Sequence, residues 1–327
     1  RLTDVTGVQT CALPIYKLEL QAAVEDLNRA REDLSLAVTG YYLQVLLSRD
    51  LYEIALDQLG LNKKQVEQTE ILVEAGKSSE SDLYDARSSL AQQQMQVTES
   101  ANNLQLALLD LTQTMNLTDV EHFDVSVPDV SEMISREAAG LVLPSEAYHY
   151  SVTQRPAIKA AEYRLEGSEM SLKATQGAYY PSLRLGAGYS NSYYFNYSLA
   201  AGMSNASLAD QWAQNSAQSV GLSLSIPLFN KMETRNRVRS ARLNIQNQEL
   251  LLDQAKQDLY KEVQQAYYNA VAAHEKYKSS QMAVEAASLA YEYEEQKYEA
   301  GRSNIYTFDQ VRLRLSAARS ETAQAKY

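Results

Sequence analysis

The sequence predicts a mainly α-helical protein with a small β part, built from long antiparallel coiled-coil helical hairpins and one β-hairpin. Three observations predict it. First, Glu74-Ala75-Gly76-Lys77-Ser78 returns as Glu299-Ala300-Gly301-Arg302-Ser303 at an offset of 225 residues, and a long internal duplication sets the architecture before any local motif is weighed. Second, a seven-residue series, Val263, Ala270, Tyr277, Val284, Tyr291 and Tyr298, maps by the same offset onto Val38, Val45, Tyr52, Leu59, Val66 and Val73. A strict seven-residue apolar period stays on one side of a helix only if the helix supercoils left-handedly. Third, between the two copies the period changes to two, on either side of a polar loop.

The elements follow in order. Residues 1–16 are set aside, because Val5-Thr6-Gly7-Val8-Gln9-Thr10-Cys11-Ala12-Leu13-Pro14-Ile15 resembles translated sequencing-adaptor DNA. Residues 17–117 form the first hairpin. Its outgoing helix runs from Leu18 to about Ala75, Gly76 is placed as a C-cap, Ser78-Ser79-Glu80-Ser81 offers N-cap hydroxyls, and Asp82 or Asp85 sits in the first turn of the returning helix. Small residues three positions after the apolar series, at Ala266, Ala273, Ser280 and Ala287, admit a close neighbouring helix; their counterparts Tyr41, Ser48, Ala55 and Asn62 are less uniform.

Residues 118–154 read as a mixed segment, with a short strand at Val125-Ser126-Val127-Pro128 and a weakly helical piece around Pro144. Arg155-Pro156 opens a new helix over 155–178, with proline where a missing N–H costs nothing. Residues 179–229 hold the strand pair, and 230–327 the second hairpin, beginning at Lys231 and turning at Gly301 with Ser303 and Asn304 as caps.

In the strand pair, Leu183, Leu185, Ala187, Tyr189, Tyr193, Phe195 and Tyr197 fall on one face, opposite Ser182, Arg184, Gly186, Gly188, Ser190, Ser192 and Asn196. After the loop, Val220, Leu222, Leu224, Ile226 and Leu228 oppose Ser219, Gly221, Ser223 and Ser225. Such a pair suits a soluble sandwich or a membrane barrel. Runs near the length that crosses a bilayer when tilted, a small polar face, and aromatic residues crowded by the loop favour the barrel. A sandwich also needs more strands than this.

Composition narrows the function classes. A net charge of −11 excludes a nucleic-acid partner, which needs a basic stripe. The single Cys11 forms no disulfide framework. Twenty-three Tyr against 4 Phe and 1 Trp suit half-wet helix packing or a membrane interface. His122, His149 and His274 lack a second ligand at metal spacing, and no phosphate loop or nucleophile elbow occurs, so no cofactor, no metal and no enzyme activity are expected. Arg235, Arg237, Arg239 and Arg242 cluster after the second strand, either as a solvated helix face or as anchors near lipid headgroups or the barrel rim.

The order of elements, with Gln154-Arg155-Pro156, Tyr180-Pro181-Ser182-Leu183, Ile226-Pro227-Leu228-Phe229-Asn230, Tyr298-Glu299-Ala300-Gly301 and Ser81-Asp82-Leu83 followed by Ala86-Arg87, resembles the TolC-type outer-membrane efflux proteins. The resemblance covers nearly everything after Tyr16. It implies a homotrimer in the outer membrane of a Gram-negative bacterium, each subunit lending four strands to a twelve-stranded transmembrane β-barrel continued as a periplasmic helical tunnel. A second strand pair, a first long helix and a signal peptide would precede Leu18, and the second hairpin would be shortened near Tyr327. The implied partners are a periplasmic adaptor protein, an inner-membrane transporter and outer-membrane lipid.

By the same resemblance, the periplasmic gate falls on Asp82, Asp85, Tyr298 and Arg302, with an Asp82–Tyr298 hydrogen bond expected; the alternative is that Asp82 only caps its helix. Adaptor docking falls on the hairpin tips at Gly76, Lys77, Gly301 and Arg302. The family's constricting aspartate pair falls here on Thr307 and Gln310, with Asp309 between them on another helical face, so no acidic ring is expected. Its basic gate residue falls on Ser303, beside Arg302. The membrane-facing residues are Leu183, Leu185, Tyr189, Tyr193, Phe195, Val220, Leu222, Leu224 and Ile226. Two other readings stand beside small-molecule efflux: export of proteins through the same channel, and a soluble coiled-coil scaffold.

Overall fold

The computed structural model describes residues 9–117, 123–128, 140–198, 204–300 and 302–327. The elements are helices α1 (Gln9–Glu74), α2 (Glu80–Thr114), α3 (Pro144–Gln154) and α4 (Pro156–Gln176), then a 3-10 turn (Gly177–Tyr179) and strand β1 (Ser182–Asn191). Helix α5 (Leu208–Gln214), strand β2 (Ser216–Ser225) and helices α6 (Glu233–Glu299) and α7 (Ile305–Lys326) complete the order. The fold is mainly α with one small antiparallel sheet. At 66 and 67 residues, α1 and α6 are the longest helices among the described residues.

Helix α1 begins at Gln9, inside the segment set aside on sequence grounds. Leu18 and Ala22 are the first buried residues along it among those described. It ends in a Schellman motif: the Gly76 N–H donates to Val73 O at 2.9 Å, the Lys77 N–H to Leu72 O at 2.8 Å, and Gly76 takes φ +70. That left-handed conformation is nearly free for glycine alone. Asn116, with φ 55, closes α2 in the same way, its N–H donating to Gln113 O at 3.0 Å and that of Leu117 to Thr112 O at 2.9 Å.

The chain divides into two compact units. One gathers the chain up to Asp26 with Ala157–Ala255, and so holds α4, the sheet, α5 and the start of α6. Ile158, Ala160, Val238 and Leu252 are buried there, and Arg164 pairs with Asp26. The other gathers Leu27–Pro156 with Lys256–Tyr327. Its core cluster is Val45, Ala107, Leu108 and Leu111, flanked by Val38, Tyr42, Leu104 and Met115.

The coiled-coil phase holds: Val45 and Tyr277 of the apolar series are buried, and so is part of the small-residue series three positions after it. Ala55, Asn62 and Thr69 are buried in the first copy, and Ser280, Ala287 and Glu294 at the same offset in the second. Val66, Val73 and Val284 are only half-buried. Small and polar side chains allow the closest helix approach, so toward the turns they take the centre of the contact while bulkier residues flank it.

Two local expectations are corrected. Among the described residues Val125-Ser126-Val127-Pro128 joins no strand: Tyr42 Oη donates to Ser126 O at 2.8 Å and Arg49 Nη1 to Val125 O at 3.2 Å, so helix side chains satisfy carbonyls that a ladder would have used. Residues 118–122 and 129–139, including His122, lie outside the described residues. Helix α6 starts at Glu233 rather than Lys231, because Lys231 (φ 54) and Met232 (φ 66) turn the chain first.

Candidate functional site: an unpartnered sheet face and two paired turns

Strands β1 and β2 pair antiparallel from Ser182↔Ser225 to Asn191↔Ser216. The register sets Leu183 opposite Leu224, Leu185 opposite Leu222 and Ala187 opposite Val220, with Arg184 opposite Ser223 and Gly186 opposite Gly221. A pleat alternates faces, so the leucines share one side with Ala187, Val220 and Tyr189, joined toward the loop by Gln218, Asn191 and Ser216, while Arg184, the glycines and most of the serines share the other. Leu185 is 73% exposed, Leu222 68% and Val220 80%. A contiguous apolar face left open on this scale marks an interaction surface rather than a core.

Tyr189 lies on that face near the strand end, whereas Tyr193 and Phe195 fall beyond Asn191 and Ile226 falls past Ser225. These three of the nine expected strand residues are therefore flanking, not strand, positions. The ladder stops where α5 begins to take its hydrogen bonds. Gln211 accepts from Tyr194 N at 2.8 Å and donates to Tyr194 O at 3.0 Å, Asn191 Nδ2 donates to Trp212 O at 2.7 Å, and Asn215 Nδ2 to Ser192 O at 2.7 Å. Phe195 and Tyr197 instead meet edge to face, 4.9 Å between ring centroids. Among the described residues no helix is long and apolar enough to cross a membrane.

The other expected site is the pair of hairpin turns. Asp82 lies on α2, and its carboxylate completes a capping box: the Ser79 N–H donates to Oδ2 at 3.0 Å while Asp82 N donates to Ser79 Oγ at 3.2 Å. Ser78 Oγ donates to the same Oδ2 at 2.7 Å. The Ser78 hydroxyl, helped by Ser79, holds the carboxyl below the usual aspartate range. Asp85 is exposed.

Tyr298 stacks on Phe308, centroids 4.9 Å apart and planes within 10°. Burial raises its phenol. Asp82 and Tyr298 therefore keep separate contacts instead of the hydrogen bond expected from sequence, Asp82 to its cap and Tyr298 to Phe308. Asp82 is spent on its cap, where both partners are within four residues, and reaches Tyr298 only as a nearby negative charge.

The second turn repeats the first. The Arg302 N–H donates to Lys297 O at 2.8 Å, the counterpart of Lys77 to Leu72, and Asn304 caps α7 by accepting from Thr307 N at 2.8 Å. Lys77 and Arg302 are exposed; Gly301 lies outside the described residues. Glu294 accepts from Lys297 at 3.0 Å and from the Ser303 hydroxyl, and the Ser303 bond holds its carboxyl below the usual range.

Sequence reasoning missed the polar lock behind this turn. Arg312, its side chain only 4% exposed, pairs with Asp309 at 3.1 Å and donates to Gln65 of α1. Phe308 packs between Tyr298 and Tyr291, whose phenol burial pushes up to about 12. The signal was present as a polar stripe, Gln58, Asn62, Gln65 and Thr69, at three- and four-residue spacing within an otherwise apolar pattern.

The described residues contain no group of metal-ligating side chains. Against known proteins, the chain is 25% identical over 282 residues to Protein CyaE of Bordetella pertussis, covering 86% of this chain and 56% of CyaE. It thus spans little more than half the length of that relative. The fold matches the outer membrane protein VceC of Vibrio cholerae (TM-score 0.76, 18% identity, 99% of this chain and 73% of that one). It also matches the open state of the MtrE outer membrane channel of Neisseria gonorrhoeae (TM-score 0.76, 17% identity, 99% of this chain and 69% of that one). The family model described as outer membrane efflux protein matches residues 12–117 and 147–327, the two hairpins and the sheet between them. This chain belongs to the outer membrane efflux protein family.

Proposed function

We propose that the chain is one subunit of a homotrimeric, passive conduit through which an inner-membrane transporter, joined by a periplasmic adaptor protein, expels small molecules across the outer membrane. The observation that carries this reading is the ten-residue sheet with one unpartnered face that is apolar over Leu183, Leu185, Ala187, Val220, Leu222 and Leu224. Ten residues at ~3.4 Å each, tilted ~45°, rise ~24 Å, the height of a barrel's apolar band. A two-stranded sheet leaves two open edges, and backbone groups there have no water to bond in lipid. Closure with strands from other copies satisfies them, which makes assembly a condition of insertion.

In this reading residues 17–117 and 230–327 are tunnel hairpins, 118–154 the belt around them, 155–178 the helix leading up, and 179–229 the barrel wall. The turns at Gly76, Lys77, Gly301 and Arg302 face the adaptor. Tyr298, with Asp82, Asp85 and Arg302 near the same end, forms the gate, its hydroxyl in the field of the Asp82 carboxylate rather than bonded to it. Nothing in the sequence cradles a nucleotide, so the partner supplies the energy.

Conductance in planar bilayers, together with restored drug resistance in a strain lacking its own channel, tests the reading. A water-soluble, monomeric, non-conducting product overturns it in favour of a coiled-coil scaffold. Restored export of a secreted protein without drug resistance replaces small molecules with protein as cargo. For the gate, Tyr298→Phe is expected to raise open probability, and unchanged conductance removes Tyr298 from that role.

A further inference from the structure

The first turns of α6 carry Arg235, Arg237, Arg239 and Arg242 in a chain whose net charge is −11. Arg239 and Arg242 lie beyond the first turn, but Arg235 within it opposes the helix macrodipole and is locally unfavourable unless an anion compensates. Arg237 has one, pairing with Glu233. Arg235, Arg239 and Arg242 are exposed and form no ion pair among the described residues. Spaced i, i+4 and i+7, they share one side of the helix.

These three arginines line an open cleft of about 630 Å³ together with Gln176, Tyr179, Tyr180 and Val238. The volume suits a headgroup-sized ligand. Tyr179 and Tyr180 stand immediately before β1 and are 52% and 72% exposed. Tyrosines in that position suit the membrane–water interface, where one end of the ring is apolar and the other wet. The cleft therefore combines unpaired guanidinium groups, which match phosphate oxygens bidentately, with aromatic rings beside the end of a sheet that faces lipid.

We propose that this cleft binds the phosphate of an anionic phospholipid headgroup and anchors the strand-to-helix junction at the membrane surface. The inference rests on the outer-membrane reading for the source of the lipid, while the phosphate chemistry belongs to the cleft itself. The rings and Val238 favour a lipid over a free anion, since a bare phosphate would use only the arginines.

The test titrates the purified full chain with short-chain phosphatidylglycerol, short-chain phosphatidylcholine and inorganic phosphate by calorimetry, and measures flotation with vesicles on the same material. Phosphatidylglycerol is expected to bind, and the combined change Arg235→Gln, Arg239→Gln, Arg242→Gln to weaken it by at least about 10-fold. Arg237→Gln, whose charge is already paired, is expected to leave it unchanged. Arg239→Gln alone provides a milder variant should the triple change disturb folding, checked by circular dichroism. Equal binding by the triple variant, equal binding of phosphatidylcholine, or inorganic phosphate binding as tightly as the lipid each overturns the proposal. Failure to float, with titration intact, counts against the channel reading and not against the cleft.

Discussion

Leu222→Arg is the sharpest perturbation of the sheet. Leu222 lies opposite Leu185 on the apolar face, one pair from Gly186↔Gly221 near the middle of a ten-pair ladder. An arginine at the midplane of a barrel's lipid face costs about 2–4 kcal/mol, which is roughly 30- to 1000-fold in the insertion equilibrium of one subunit. Ser223, the next residue, points to the opposite, polar face beside Arg184. Ser223→Arg therefore adds the same charge one residue along and should cost only the repulsion from Arg184 directly opposite, about 0.2–1 kcal/mol. The assay is urea-driven unfolding from vesicles, read by tryptophan fluorescence at Trp212, with trimer retention on a mild gel as a second measure. Equal destabilisation by both changes, or none by either, refutes the assignment of this face to lipid. Loss confined to Ser223→Arg would invert it.

Three further outcomes are expected at the hairpin end. Arg312→Met leaves Gln65 and Asp309 without their buried partner and should cost about 3–5 kcal/mol. Arg87→Met, the corresponding position in the first copy, breaks only a half-exposed pair with Glu70 and should cost less than about 1 kcal/mol; equal shifts in urea midpoint would show that the lock is not buried in the assembled protein. Gly76→Val forces a β-branched residue to φ +70 and should lose about 1–2 kcal/mol in thermal unfolding, whereas Gly60→Ala within α1 should gain about 1 kcal/mol. The carboxyls of Asp82 and Glu294 sit below their ordinary ranges when folded, so their support is complete above those ranges and disappears as pH falls through the depressed values. Protection of the Ser79 and Asp82 amides, taken relative to their intrinsic exchange rates, should fall only in acid and stay flat around neutrality; a loss of protection on raising the pH from neutral would contradict the assignment.

Much of this protein is legible without coordinates, because the decisive signals are local. The seven-residue period, the alternation between Pro181 and Pro227, the glycine at Gly76 and the proline at Pro156 each constrain the backbone within a few residues of themselves. They fix the helices, the strands and the first turn. The duplication carries the same constraint to the second turn, where Arg302 repeats the bond of Lys77.

Partners of polar groups are decided elsewhere. Asp82 could cap its helix or reach Tyr298, and the compact capping box takes it. Tyr193 and Phe195 continue the alternating pattern of β1, but the amides of α5 end the ladder at Asn191. Arg87 and Arg312 occupy equivalent positions in the repeat, yet one is half-exposed beside Glu70 and the other buried against Gln65. By itself the sequence determined the period and phase of each segment, since backbone geometry depends on near neighbours. Only the tertiary structure decided which buried donor meets which acceptor, because that choice depends on residues brought close from as far as 247 positions away.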